Sequence, residues 1–238
     1  MRIDQVIGIA ASIIGDHPTH RNLNNNQISR LLNVASLKLL RKKIGLPEAY
    51  SPGMPVPPEV TEITRKNKED IRVFLVELGF KDNASLPIDS GGFADIPSNL
   101  YYCSTLEYWK PKLPPLEGYD IKPIEILTDT QFLDRVSSAV IDPDYNYPIC
   151  NFQNNFIRFA PKDIQYAHMI YYRYPVDCVY AIRYENNMPV FDEDNSVDLE
   201  WNDDNTLNVI NIFLGDIGIS IEKQEIVNYA ELHKQRGV

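Results

Sequence analysis

The chain has 238 residues, is 44% hydrophobic and 24% charged, and carries a formal net charge of −10. That composition is ordinary for a globular protein of one large or two small domains, and no run approaches the ~18 apolar residues of a membrane-spanning helix. Residues 1–120 hold 14 basic and 14 acidic groups while 121–238 hold 9 and 19, so the negative excess lies in the second half and disfavours a phosphate-gripping nucleic-acid surface there.

The opening stretch, MRIDQVIGIAASIIGD, has Asp4 inside an amphipathic pattern and lacks the basic-then-apolar order of a signal peptide. Ile3, Val6, Ile7, Ala10 and Ile14 recur at helical spacing, predicting a first helix. HPTHRNLNNN is a polar loop whose asparagines can cap a second helix over 26–44, with Ile28, Leu31, Leu32, Ala35 and Leu39 on one face. Gly45, as a left-handed cap, and Pro47 end it, after Lys38, Arg41, Lys42 and Lys43 in its last turns. SPGMPVPPEV is an extended, proline-rich connector. A third helix is predicted over 61–78, with Ile71, Phe74, Leu75 and Leu78 inside and Gly79 closing it.

From residue 84 the pattern changes. Gly91-Gly92 marks a turn between short strands, and Ser98 suits the cap of a short helix running to Tyr108. After a second proline-rich loop, KPIEIL reads as a strand and TDTQFLDRVSSAV as a helix capped by Thr128 or Asp129. YPICNF, NFIRFAP and QYAHMIYYRYP read as three strands separated by turn residues. The chain then predicts a helical hairpin. Leu207, Ile210, Phe213, Leu214 and Ile217 share one face, Gly218 breaks the helix, and SIEKQEIVNYAELHKQ forms a second helix. The fold class is α+β. The N- and C-terminal helices form a bundle, with boundaries at 1–83 (helical), 84–200 (β-rich middle) and 201–238 (helical hairpin).

Reactive motifs are scarce. There is no phosphate loop, nucleophile elbow or cysteine in a nucleophile's context, and no cofactor is implied. Cys103, Cys150 and Cys178 lack metal-like spacing, and an odd number points to a reducing compartment. His17 and His20 lie three apart without a supporting ligand cluster, and a polar loop is the simpler reading. Glu222 and Glu225 read as the wet face of a helix, and His233 suits the carbonyl end of the last helix. Asp192, Asp194, Ser196, Asp198 and Asp203 resemble a calcium loop in alternation, but Val197 and Asp203 stand where such a loop needs Gly and Glu. A solvated acidic loop is favoured over any metal site. The stretch 185–204, with eight acids and no Lys or Arg, makes Asp192, Glu193, Asp194, Asp198, Asp203 and Asp204 candidates for an acidic surface.

Tyrosines gather around Arg173 in the last strand. Strand alternation puts Tyr172 and Tyr174 on one face and Tyr171 and Arg173 on the other, so one face can fill a core while the other meets solvent or a neighbour. Base stacking is the competing use, weakened by the acidic surroundings. Trp201 either staples the hairpin internally or anchors a neighbouring subunit, and the internal staple is favoured.

Several blocks carry a family likeness. NNNQISRLLNVASLKLL followed by EITRKNKEDIRVFL, then ADIPSNLYYCSTLEY, resembles the start of ring proteins of tailed phages related to the crAss-like group. PIEIL with an acid-capped helix, YPI, an NN-x-I-x-F-x-P strand and YYRYP continue the likeness. The ending, from SVDLEW through two helices to YAELHK, is similar to adaptor proteins below the portal of short-tailed phages. The resemblance spans almost the whole chain and includes no catalytic signature. It implies a non-enzymatic virion component made in the host cytoplasm, forming a homo-oligomeric ring, commonly a dodecamer, in the neck or tail. Its implied partners are the portal protein and neighbouring ring proteins, with genomic DNA as passing cargo through the bore and no membrane contact; the acids of 185–204 suit either a bore lining or an outward patch. The alternative is a carbohydrate-binding or carbohydrate-active protein using the tyrosines and the carboxylates of 192–204.

Overall fold

The structure, a computed structural model, describes residues 1–14, 24–45, 65–79, 85–111, 119–138 and 140–220. In chain order its elements are α1 (Ile3–Ile14), α2 (Asn25–Ile44), β1 (Leu75–Leu78), β2 (Leu86–Pro87), β3 (Phe93–Asp95), β4 (Leu100–Pro111), β5 (Tyr119–Pro123), β6 (Glu125–Leu127), α3 (Asp129–Val136), β7 (Ile149–Phe152), β8 (Phe156–Ala160), β9 (Tyr166–Arg173), β10 (Ile182–Glu185), β11 (Met188–Phe191) and α4 (Asp203–Ser220). The fold is mixed α+β, as the sequence predicts. The chain divides into two compact units, one made of Met1–Val73 with Pro175–Val238 and the other of Phe74–Tyr174. The β-rich part therefore runs from 74 to 174 rather than from 84 to 200, and residues 175–200 belong with the terminal helices.

In the first unit, α2 begins with a capping box: Asn24 Oδ1 accepts from the Gln27 backbone at 2.8 Å, and Gln27 Oε1 accepts from the Asn24 backbone at 2.9 Å. The predicted stripes are largely those buried, with Ile3, Val6, Ile7 and Ala10 of α1 and Ile28, Leu32, Ala35, Leu39 and Leu40 of α2 inside. Helix α4 packs against α2 and α1 and buries Val209, Ile210, Phe213, Leu214 and Ile217, whereas Leu207 faces outward. Two expectations differ at glycines. Gly45 has φ −66°, so the cap of α2 is extended rather than left-handed. Gly218 lies inside α4, which continues to Ser220. Residues 15–23, 46–64 and 221–238, with His17, His20, Glu222, Glu225, His233 and the second hairpin helix, lie outside the described residues.

The second unit is built from two sheets. One has the order β1-β9-β4-β5, with β2 also pairing with β9; the other has β3-β8-β7-β6, of which only β6 and β7 run parallel. One core joins them. Leu106, Ala167, Met169 and Tyr171 come from the first sheet, and Ala94, Cys150, Ile157 and Phe159 from the second. Beyond the second sheet, α3 buries Phe132 against Ile149 and Ala160. Two predicted helices are corrected here. Residues 65–70 are helical, but Arg72–Phe74 tighten into a 3₁₀ turn and Leu75–Leu78 become β1, pairing with Tyr172 to Met169. Ser98 caps no helix: Leu100–Pro111 is a long strand, whose aromatic and β-branched residues suit a pleated surface.

Candidate functional site

Strand β9 is the centre of its sheet, with β1 and β2 on one side and β4 on the other. Both faces of its tyrosine pair are buried: Tyr171 and Tyr172 point opposite ways and neither reaches solvent appreciably. The sequence assigned one face to the core and left the other for solvent or a neighbour; in the structure both tyrosines are enclosed. Tyr171 Oη donates to Asn99 Oδ1 at 2.8 Å, which satisfies a phenol in an apolar setting. Burial pushes both hydroxyls above the ordinary phenol value, so neither is a proton donor poised for chemistry.

Arg173 places its guanidinium 5.8 Å from the centre of the Phe74 ring and donates to the Tyr174 carbonyl at 3.1 Å. Tyr174 lies just beyond the strand, 46% exposed, with its ring edge-on to Tyr101 at 5.0 Å. In the other unit, Trp201 is buried and its Nε1 donates to Ser36 Oγ of α2 at 2.8 Å. It joins the approach to α4 with the middle of α2.

The acidic segment is used in several different ways. Asp192 accepts from the Asn195 side chain at 2.8 Å, and those hydrogen bonds hold its carboxyl below the ordinary range. Asp198 Oδ1 accepts from the Ile3 backbone at 2.7 Å, so a residue almost two hundred positions away caps the start of α1. Glu193 Oε1 meets Arg2 Nη1 at 3.3 Å, and Asp203 Oδ1 meets the Met1 nitrogen at 2.8 Å. Asp203 and Asp204 occupy the first turn of α4, where negative charge suits the helix dipole. Asp194 is exposed. Among the described residues, no group of three His, Cys, Asp or Glu side chains could hold a metal ion.

Sequence reasoning missed two features. The first is the outer face of the larger sheet, where the Trp109 indole stacks on the His168 imidazole at 4.1 Å and donates to Glu107 Oε2 at 3.2 Å. The only local hint was strand-like texture around Trp109. The second is the β10–β11 hairpin, turned by Asn186 and Asn187 at φ 51° and 62°. Paired left-handed residues define the tight hairpin turn whose twist matches the strands, and Asn-Asn between YE and MPVF was its signature.

The thiols are inert by environment. Burial pushes Cys103 and Cys178 up to about 12 and raises Cys150 further. No helix among the described residues is long and apolar enough to cross a membrane.

Neither a protein-family model nor a curated protein matches the chain.

Proposed function

We propose that the protein is a structural, non-enzymatic subunit of a ring in the portal–tail connector of a tailed phage, twelve copies surrounding a bore through which DNA passes. The observation that carries this reading is the placement of the resembling blocks. NNNQISRLLNVASLKLL forms α2, ADIPSNLYYCSTLEY forms β3 and most of β4, YYRYP ends β9, and SVDLEW leads into α4. The likeness thus involves framework elements of both units. In this reading α1, α2 and α4 belong to a helical bundle completed by the last residues of the chain. The protein's partners are its own copies, the portal protein and adjacent rings of the virion.

The chemistry agrees with a scaffold. Buried, protonated thiols and phenols offer no nucleophile at neutral pH. Exposed acids such as Asp194 and Asp204 give passing phosphates no lasting partner, which suits a DNA conduit. For the alternative, a carbohydrate-binding protein, Tyr172 is enclosed and Asp192 and Asp198 accept hydrogen bonds within the chain, while Tyr174 and Asp194 are exposed.

Negative-stain electron microscopy over a range of concentrations, with and without a portal protein, tests the proposal. Rings with a central hole support it. Monomers at every concentration, including beside a cognate portal, overturn it.

A further inference from the structure

We propose that the end of α2 and the stretch 65–72 together form a surface for the phosphate backbone of double-stranded DNA. The choice of DNA among polyanions rests on the ring reading, in which a duplex passes the subunit. The surface itself stands on charge and geometry.

Charge is unevenly placed along the chain. Residues 38–45 and 65–72 hold eight basic and two acidic side chains, in a protein whose net charge is −10. The intervening 46–64 adds three glutamates and no cation, so the whole span stays positive. Both stretches belong to the first unit. An ion pair joins them: Lys43 Nζ meets Asp70 Oδ2 at 2.7 Å, each side chain only 17% exposed. Ile71 is buried and Asn67 and Asp70 are half-buried, so Arg65, Lys68 and Arg72 project from the opposite side. At i, i+3 and i+7 they make a row roughly 10 Å long. Arg41, Lys42 and Lys66 are exposed as well.

Most of these cations are not used by the fold. Lys38 pairs with Asp216 at 2.6 Å, and Lys43 with Asp70. Arg65 meets Glu69 at 3.2 Å on open surface, where such a pair has little strength. Arg41, Lys42, Lys66, Lys68 and Arg72 have no carboxylate partner among the described residues. The carbonyl end of α2 accounts for positive charge at Arg41 and Lys42. Arg65 and Lys66, a full turn before the end of their own helical stretch, have no such role. Gathering like charges costs self-repulsion, which an anionic partner relieves.

The character of the surface selects phosphate over protein. Neither stretch exposes an aromatic or large apolar side chain, whereas protein interfaces are built around such anchors and deplete charge at their centre. Without aromatics there is also nothing to stack on bases, so the contact is to the backbone and indifferent to sequence. The planar fork of arginine and the point charge of lysine both suit phosphate oxygens. Contacts of this kind let a duplex slide rather than lock, in keeping with a conduit.

Fluorescence anisotropy of the full-length chain with a labelled duplex of mixed sequence provides the test. Wild type binds at 50 mM salt, and its affinity falls ~100-fold by 200 mM, as about four neutralised phosphates require. K42Q/K66Q/K68Q removes three cations of the surface, and K110Q/K162Q/R183Q removes three from elsewhere, leaving the two variants with the same net charge. Circular dichroism and a thermal melt verify that both fold. The first variant binds at least ~10-fold more weakly with a flatter salt dependence, and the second stays within about 2-fold of wild type. If the two variants bind alike, or wild type does not bind at 50 mM salt, this surface is not a DNA contact. Binding of polyglutamate but not of the duplex assigns it to an acidic protein and equally overturns the proposal. The ring reading is judged apart from this: rings that do not bind DNA leave it standing, whereas a DNA-binding chain that stays monomeric even beside its portal keeps the surface and overturns the ring.

Discussion

His168 occupies the space that a β-carbon on Gly79 would need: with φ +80° at the end of β1, an added methyl at residue 79 collides with the imidazole. The ring held there stacks in turn on Trp109, so a missing side chain on one strand positions an aromatic pair on two others.

Replacing Gly79 by Ala therefore combines left-handed backbone strain with displacement of His168, and lowers stability by about 1–3 kcal/mol. Gly8 supplies the contrast. It sits inside α1 with nothing near its missing β-carbon, and Gly8→Ala raises stability by about 0.5–1 kcal/mol. Urea unfolding of the two variants checks both signs. Equal effects would mean that the space around residue 79 plays no part.

The Trp201–Ser36 hydrogen bond is buried and links residues far apart in sequence. Ser36→Ala and Trp201→Phe each destabilise by at least about 1 kcal/mol, and a double-mutant cycle gives a coupling of about 0.5–1.5 kcal/mol. Additive losses would show that the indole contributes through packing alone.

Asp198 acts as an N-cap delivered from a distant segment. Asp198→Ala costs about 1 kcal/mol in a thermal melt, while Asp198→Asn, which keeps an acceptor oxygen, retains most of that stability. Because Asp192 and Asp198 are occupied by the chain itself, millimolar calcium leaves the melting temperature unchanged; a rise of several degrees would assign the acidic segment to metal after all.

The thiols give the stability a sign on the alkaline side. Burial raises Cys103 and Cys178 from an ordinary 9.0 to about 12, so the folded chain holds protons that the unfolded chain releases. Their contribution is intact below about pH 9 and is lost as pH climbs toward 12. Urea midpoints should fall between pH 8 and pH 10.5, less steeply in a Cys103→Ser, Cys178→Ser variant that still folds. In the native state at neutral pH, all three cysteines resist iodoacetamide, and they react once urea is added.

Helices with one buried face were legible because burial and period coincide: the stripes of α1, α2 and α4 needed no knowledge of the rest of the chain. The run Ile71, Phe74, Leu75, Leu78 had the same spacing, yet its second half pairs with β9, and a partner almost a hundred residues away overrode the local period. Ser98 had cap chemistry, but the aromatic texture of LYYCSTLEYW was the stronger signal and belonged to β4. Residues 175–200 were assigned to the middle of the chain because their anchors are distant: Cys178 and Tyr180 bond to Asn33 and Ser29, pairings without a local signature. The acid count of 185–204 was visible, whereas the separate uses of Asp192 and Asp198 depend on tertiary partners.

The division of the chain also sets an order of events during synthesis. The 74–174 unit begins and ends on neighbouring strands, with Leu75 opposite Tyr172, so it is complete once residue 174 has emerged from the ribosome. The apolar faces of α1 and α2 are made first but must wait for Ile210, Phe213, Leu214 and Ile217 of α4, the latest large core residues among those described. The part of the protein that starts earliest is thus the part that finishes last. For the intervening period its exposed stripes are a natural target for chaperones on the nascent chain.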